Sequence, residues 1–139
     1  MEQGYFTFRS GLVAAERLLA RRSPPTAIFA SNDDMAAAAV SVMHRRGLSV
    51  PGDVSVVGFD DTTIATTIWP ELTTVKQPIA AMAEAALDLM LTNIRARRSG
   101  GPAITADQVL GHELIARESS AAPHAATAAA GLRAAAGAR

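Results

Sequence analysis

Apolar residues recur along this chain with two different periods, and each change of period marks a new element. Leu12, Ala15, Leu18 and Leu19 share one side of a helical wheel, with Glu16, Arg17, Arg21 and Arg22 opposite, which predicts a helix from Ser10 or Gly11 to Arg22. Pro24 and Pro25 end it. Thr26–Ser31 is a short apolar run read as a strand, and Asn32-Asp33-Asp34 then offers the side-chain acceptors that cap a helix amino terminus. The second helix runs to about Arg46. Its apolar positions Met35, Ala39, Val42 and Met43 have helical spacing, and Gly47 stands where a left-handed terminating residue belongs. Val50-Pro51-Gly52-Asp53 is a turn signal. From Val54 the largely apolar run of Val54, Val56 and Val57 predicts a strand buried on both faces, ending in Gly58-Phe59-Asp60-Asp61.

After a threonine-rich segment, Leu72–Lys76 is predicted as a third strand and Ile79–Arg98 as the longest helix. The helix has an apolar stripe of Ile79, Met82, Ala83, Ala86, Met90 and Ile94. Ser99-Gly100-Gly101-Pro102 is a loop, and Gln108–Arg117 alternates as a strand should. Helices interleaved with strands in this order predict an α/β fold with a mainly parallel sheet. From Ser119 the pattern stops: over half of Ser119–Arg139 is alanine, with little apolar area to hold it to a core, so the segment is expected to be a disordered tail.

Composition narrows the function classes. With 13 basic and 13 acidic residues there is no net field to draw the chain to nucleic acid or anionic lipid, and zero cysteines remove disulfides, thiolate ligands and thiol nucleophiles. The first residues lack the basic and apolar regions of a secretory signal, and no apolar stretch reaches membrane-spanning length.

The strand ending at Asp60 and Asp61 carries the best candidate chemistry, because polar residues just past the carboxyl end of a parallel strand line the ligand crevice of open α/β sheets. Those carboxylates suit acid/base work, a metal, phosphorylation, or acceptance of hydrogen bonds from a polar ligand. Asp33 and Asp34 add a second pair, with helix capping as the plain alternative for Asp33. A phospho-receiver is excluded by spacing, since Lys76 follows Asp60 too closely to leave room for the intervening βα units. His44, His112 and His124 are scattered, so no metal is expected, and there is no glycine-rich phosphate loop or nucleophile elbow. The arginine clusters fall at helix carboxyl ends, where they complement the dipole. Phe6, ahead of the first helix, either stacks on a flat ligand ring or staples that helix to the sheet.

Four ordered motifs carry a family resemblance: Pro25–Ala36, Gly47–Asp61, Pro70–Pro78 and Glu113–Ser119. Together they resemble the effector-binding domain of the LacI/GalR transcriptional regulators. The resemblance implies a type I periplasmic-binding-protein-like fold of two lobes around a cleft, of which this chain holds mostly a three-layer parallel-sheet second lobe. Residues 1–118 are then a partial effector-binding domain, with helix 79–98 returning to the first lobe, and 119–139 the tail. It further implies a cytoplasmic repressor that responds to a sugar or similar small polar metabolite, with no cofactor and no catalysis. By the same resemblance Phe6, Asn32, Asp60 and Gln77 bind ligand, and Met35, Ala39, Ile64 and Ile68 form the surface of a homodimer. Operator DNA is contacted only through a helix-turn-helix, which is not expected within this sequence. The rival expectations are a fragment of a periplasmic sugar-binding protein of an uptake system, and an enzyme built on Asp60 and Asp61, for which no nucleophile or metal triad is evident.

Overall fold

The computed structural model describes residues 1–123. Two compact units divide them, one formed by Met1–Lys76 with the residues from Leu114 onward, the other by Gln77–Glu113.

In the first unit, helix α1 (Phe8–Leu19) starts earlier than its apolar periodicity suggests. Thr7 is the cap: its hydroxyl accepts from the Ser10 amide at 3.2 Å, and the Ser10 hydroxyl accepts from the Thr7 amide at 3.4 Å, a reciprocal capping box. The helix ends at Leu19, short of Arg22, and Arg21 turns instead to the chain's start, donating to Glu2 at 2.6 Å and to the Met1 carbonyl at 3.1 Å. Strand β1 (Ala27–Phe29) leads into helix α2 (Asp33–Arg45), whose cap is Asn32, with its side-chain oxygen accepting from the Met35 amide at 3.0 Å. Capping therefore falls to Asn32 and not to Asp33. Gly47 takes φ 70° just past the helix, as its position predicts.

Strand β2 (Ser55–Asp60), the short helix α3 (Ile64–Thr67) and strand β3 (Thr73–Lys76) follow. The sheet order is β1-β2-β3-β4, where β4 is Glu113–Ile115; β1 pairs parallel with β2, Ile28 against Val56, and β2 parallel with β3, Gly58 against Thr74. The parallel α/β architecture is thus as the element order predicts. Burial in β2 differs from the expectation of two covered faces: Val56 and Gly58 are buried while Ser55, Val57 and Phe59 are only half-buried, and in β1 Phe29 is exposed. Helix α2 lies over the Val56–Gly58 face.

The core runs through Ala15, Ile28, Val42, Met43, Val54, Val56 and Leu72. Truncating any one of the larger of these to alanine removes about 2–5 kcal/mol. Helix α1 approaches α2 closely because Gly11 has no side chain; a Cβ there would lie 2.7 Å from the Met35 Cα and 2.8 Å from the Ala38 Cβ.

The tail expectation is corrected at its beginning. Ser119 is fully buried: its backbone carbonyl accepts from the Val56 amide at 2.8 Å, and its hydroxyl donates to the Val56 carbonyl at 2.6 Å and accepts from the Thr73 amide at 2.8 Å. Ser119 therefore extends the sheet beside β2 where β3 has not yet begun. Ser120 and Ala121 continue the attachment through Thr73 and Ser55. The remainder of the expected tail, 124–139, lies outside the described residues.

The second unit is helix α4 (Ile79–Arg98) and the segment after it. None of the α4 residues is buried, its stripe residues Ile79 and Met90 included. The strand predicted for Gln108–Arg117 forms only over Glu113–Ile115. Within this unit the Asn93 side chain bonds Ile104, its oxygen accepting from the Ile104 amide at 2.6 Å and its nitrogen donating to the Ile104 carbonyl at 3.0 Å, and Val109 is 95 % exposed.

Candidate functional site

Three non-glycine residues in the described chain have left-handed backbones: Phe6 at φ 55°, Asp60 at φ 114° and Asp61 at φ 57°. Each such residue costs on the order of 1–3 kcal/mol, and persists only where its surroundings over-determine it. Two of them are the adjacent carboxylates at the end of β2.

The surroundings hold the turn from both sides. Asp61 accepts from the Arg117 guanidinium at 2.7 Å, and the same guanidinium donates to the Leu72 carbonyl at 2.9 Å, with both side chains largely buried. Thr62 is held by Asp33, whose Oδ2 accepts from the Thr62 amide at 2.7 Å and from its hydroxyl at 3.2 Å. Asp60 itself stands opposite Lys76 in the β2–β3 register.

Phe6 and Asn32 come together at the neighbouring strand end. The Asn32 side-chain amide donates to the Phe6 carbonyl at 3.3 Å while its oxygen caps α2, so Asn32 fixes the Phe6 backbone as well as the helix. The Phe6 ring, freed by the left-handed turn, is 64 % exposed and lines a groove of about 520 Å³ with Gly4, Phe29, Ser31 and Met35. An exposed ring of this kind offers a face to an apolar or flat ligand surface. Gln77 opens the second unit, where its carbonyl accepts from the Ile79 amide at 2.9 Å.

The four residues expected at a dimer surface divide. Ala39, 2 % exposed, belongs to the core, and Met35 packs against that core beneath Gly4 and Gly11, so the apolar face of α2 is covered by α1 of the same chain. Ile64 and Ile68 are half-buried on and beside α3, next to exposed Trp69, whose ring stands 5.9 Å from that of His44. Helical periodicity marks the apolar face of α2, and α1 of the same chain packs on it.

The sequence assigns Asp33 to a carboxylate pair or a helix cap, and Arg117, Thr74 and Ser119 to no site. Their contacts join residues 29 to 63 positions apart, which no local spacing reveals. Among the described residues no cluster of His, Asp or Glu is arranged to hold a metal ion, and no helix is long and apolar enough to cross a membrane.

Residues 2–120 match the periplasmic binding protein-like domain family, and the chain belongs to it. Within that class it is part of the effector-binding domain of the LacI/GalR regulators, as its relatives show. It is 51% identical over 77 residues to the probable HTH-type transcriptional repressor ExuR of Bacillus subtilis, a match covering 55% of this chain and 23% of that protein. Among solved structures it resembles the transcriptional regulator CelR in its cellobiose complex (37% identity, TM-score 0.73, 84% of this chain and 35% of that one). It also resembles the lac repressor dimer bound to operator and the anti-inducer ONPF (32% identity, TM-score 0.74, 86% and 40%). The chain thus spans well under half the length of each.

Proposed function

We propose that this chain is the carboxyl-terminal effector-sensing and dimerisation portion of a cytoplasmic LacI/GalR-type repressor that responds to a sugar or similar small polar metabolite. The observation that carries the reading is the strained Asp60–Asp61 turn at the end of β2, locked by Arg117 and Asp33. In this reading an ionised Asp60 accepts hydrogen bonds from ligand hydroxyls, charge-assisted and so stronger than neutral ones. Phe6 supplies a stacking face, Asn32 sets the position of Phe6, and Gln77 lies at the crossing to the other lobe. No step of catalysis is asked of any of them, and the kinship to transcriptional regulators favours sensing over transport.

Residues 2–120, the stretch that matches the family, form the partial effector-binding domain, with α4 serving the other lobe. Effector binding would then act by differential affinity for two lobe arrangements, shifting a population that reads out at a helix-turn-helix outside these residues. Dimerisation falls to the α3 surface of Ile64 and Ile68, since Met35 and Ala39 are occupied internally.

Because the chain supplies part of a two-lobed pocket, the expected sugar affinity is about 1 mM or weaker, near 4 kcal/mol of binding free energy. Calorimetric titration with a panel of neutral mono- and disaccharides, cellobiose included, tests this. Weak saturable binding of one panel member supports the reading, and the absence of binding by all of them counts against it.

A further inference from the structure

The carboxylate of Asp33 bonds both strand β3 and the segment just past β2. It sits in the first turn of α2, directly after β1, and is 1 % exposed. Its Oδ1 accepts from the hydroxyl of fully buried Thr74 in β3 at 2.6 Å. Its Oδ2 accepts from the Thr62 amide at 2.7 Å and the Thr62 hydroxyl at 3.2 Å, immediately past the β2 turn. Space for this arrangement is made by Gly58, opposite Thr74 in register: a Cβ at Gly58 would collide with Asp33 Oδ1 and lie 2.8 Å from Leu72 Cδ2. A buried carboxylate is stable only when its lone pairs are satisfied, and here three donors converge on it.

The placement of Thr62 gives this bond its consequence. Asp60 and Asp61, the two residues with left-handed backbones, are bounded upstream by the hydrogen-bonded ladder of β2 and downstream by Thr62. Thr62 is exposed and lies outside any helix or strand, so Asp33 anchors a residue that no ladder holds. The chain then passes directly into α3.

We propose that Asp33 is a positioning residue of this site: by fixing Thr62 it holds the Asp60–Asp61 turn, at the carboxyl end of β2, in its left-handed conformation. The inference rests on the reading of Asp60 as a ligand carboxylate, but the conformational claim stands or falls without any ligand. Asp33 touches no ligand in this account and acts through Thr62.

Backbone resonance spectroscopy of the whole 139-residue chain tests it. In the wild-type chain the Thr62 amide is expected to exchange with solvent at least about tenfold more slowly than an unprotected amide. One-bond Cα–Hα couplings at Asp60 and Asp61 are expected to report positive φ. Asp33→Asn puts a donating amide among donors and is expected to abolish Thr62 protection and shift both couplings, while Val56, in the core of β2, keeps its protection. Thr74→Val removes only the β3 leg and is expected to leave Thr62 protection and both couplings unchanged. Unprotected Thr62 in the wild type overturns the proposal even where Asp33→Asn does not fold. So do unchanged couplings in a folded Asp33→Asn chain, or loss of both signatures in Thr74→Val, which would assign the effect to the core. If these signatures appear and no sugar binds, the positioning role stands and the effector reading falls.

Discussion

Replacing Ser119 with alanine is expected to destabilise the first unit far more than its place in an alanine-rich segment suggests. The hydroxyl is wholly buried and does two jobs, donating to the Val56 carbonyl at 2.6 Å and accepting from the Thr73 amide at 2.8 Å. Ser119→Ala keeps the backbone bond from the Val56 amide to the Ser119 carbonyl, so the segment stays in place and seals water out of the defect. Two buried backbone groups then lose a partner, and an unsatisfied buried donor or acceptor costs about 1–3 kcal/mol. Because a carbonyl tolerates the loss of one of its two acceptor sites better than an amide tolerates the loss of its only acceptor, the sum is about 2–4 kcal/mol. At this chain size that lowers the melting midpoint on the order of 10 °C. Ser120→Ala is the control: its half-buried hydroxyl bonds the Thr73 hydroxyl at 2.9 Å, and its loss is expected to cost under about 1 kcal/mol. Urea unfolding followed by far-ultraviolet circular dichroism measures both. A Ser119→Ala cost below about 0.5 kcal/mol, or one equal to that of Ser120→Ala, would refute the reasoning that Ser119 completes the sheet.

Gly11→Ala sets helix propensity, which favours alanine by about 1 kcal/mol, against overlap with the Met35 backbone, where overpacking costs about 1–3 kcal/mol. Net destabilisation in the same unfolding assay is expected, and a more stable variant would show that α1 and α2 are less tightly apposed. Arg117→Ala leaves the largely buried Asp61 carboxylate without its guanidinium, and is expected to cost about 1–3 kcal/mol and to loosen the β2 turn, read as faster Thr62 amide exchange. The Arg21 hydrogen bond holds the Glu2 carboxyl below the usual range. A lowered carboxyl pKa means this tether is fully formed above the ordinary carboxylate range and released as pH falls through the lowered value. A carbon-13 titration of Glu2 is therefore expected to show a depressed midpoint that Arg21→Ala returns to normal.

The sequence announced those parts of the fold whose causes are local. Asn32 ahead of an apolar helical stripe and Gly47 behind it bracket α2 almost to the residue, and the run from Val54 into Gly58 marks β2. Partnership was less legible. Met35 and Ala39 look like an interface because periodicity shows which face of a helix is apolar, not whether α1 of the same chain will cover it. Gln108–Arg117 alternates like a strand, yet alternation does not supply the neighbour that a strand needs to receive its amides, and only Glu113–Ile115 forms one. At the site, Asp60 and Asp61 were visible as carboxylates at a strand end, but their left-handed backbones were not. The residues that impose this, Asp33 and Arg117, act from 29 and 56 positions away. By composition Ser119 belongs to the alanine-rich segment, whereas its hydroxyl belongs to the sheet.

The central claim is that the strained turn at the end of β2 presents Asp60 to a polar effector. Its most direct test is a chemical-shift map of the chain with the sugar that binds best in the panel, repeated on Asp60→Ala. The account predicts amide shifts concentrated at Phe6, Asn32 and Asp60–Thr62 in the wild-type chain, and their disappearance in Asp60→Ala with the shifts of the core unchanged. Perturbations that lie elsewhere, or that survive the loss of Asp60, would contradict it.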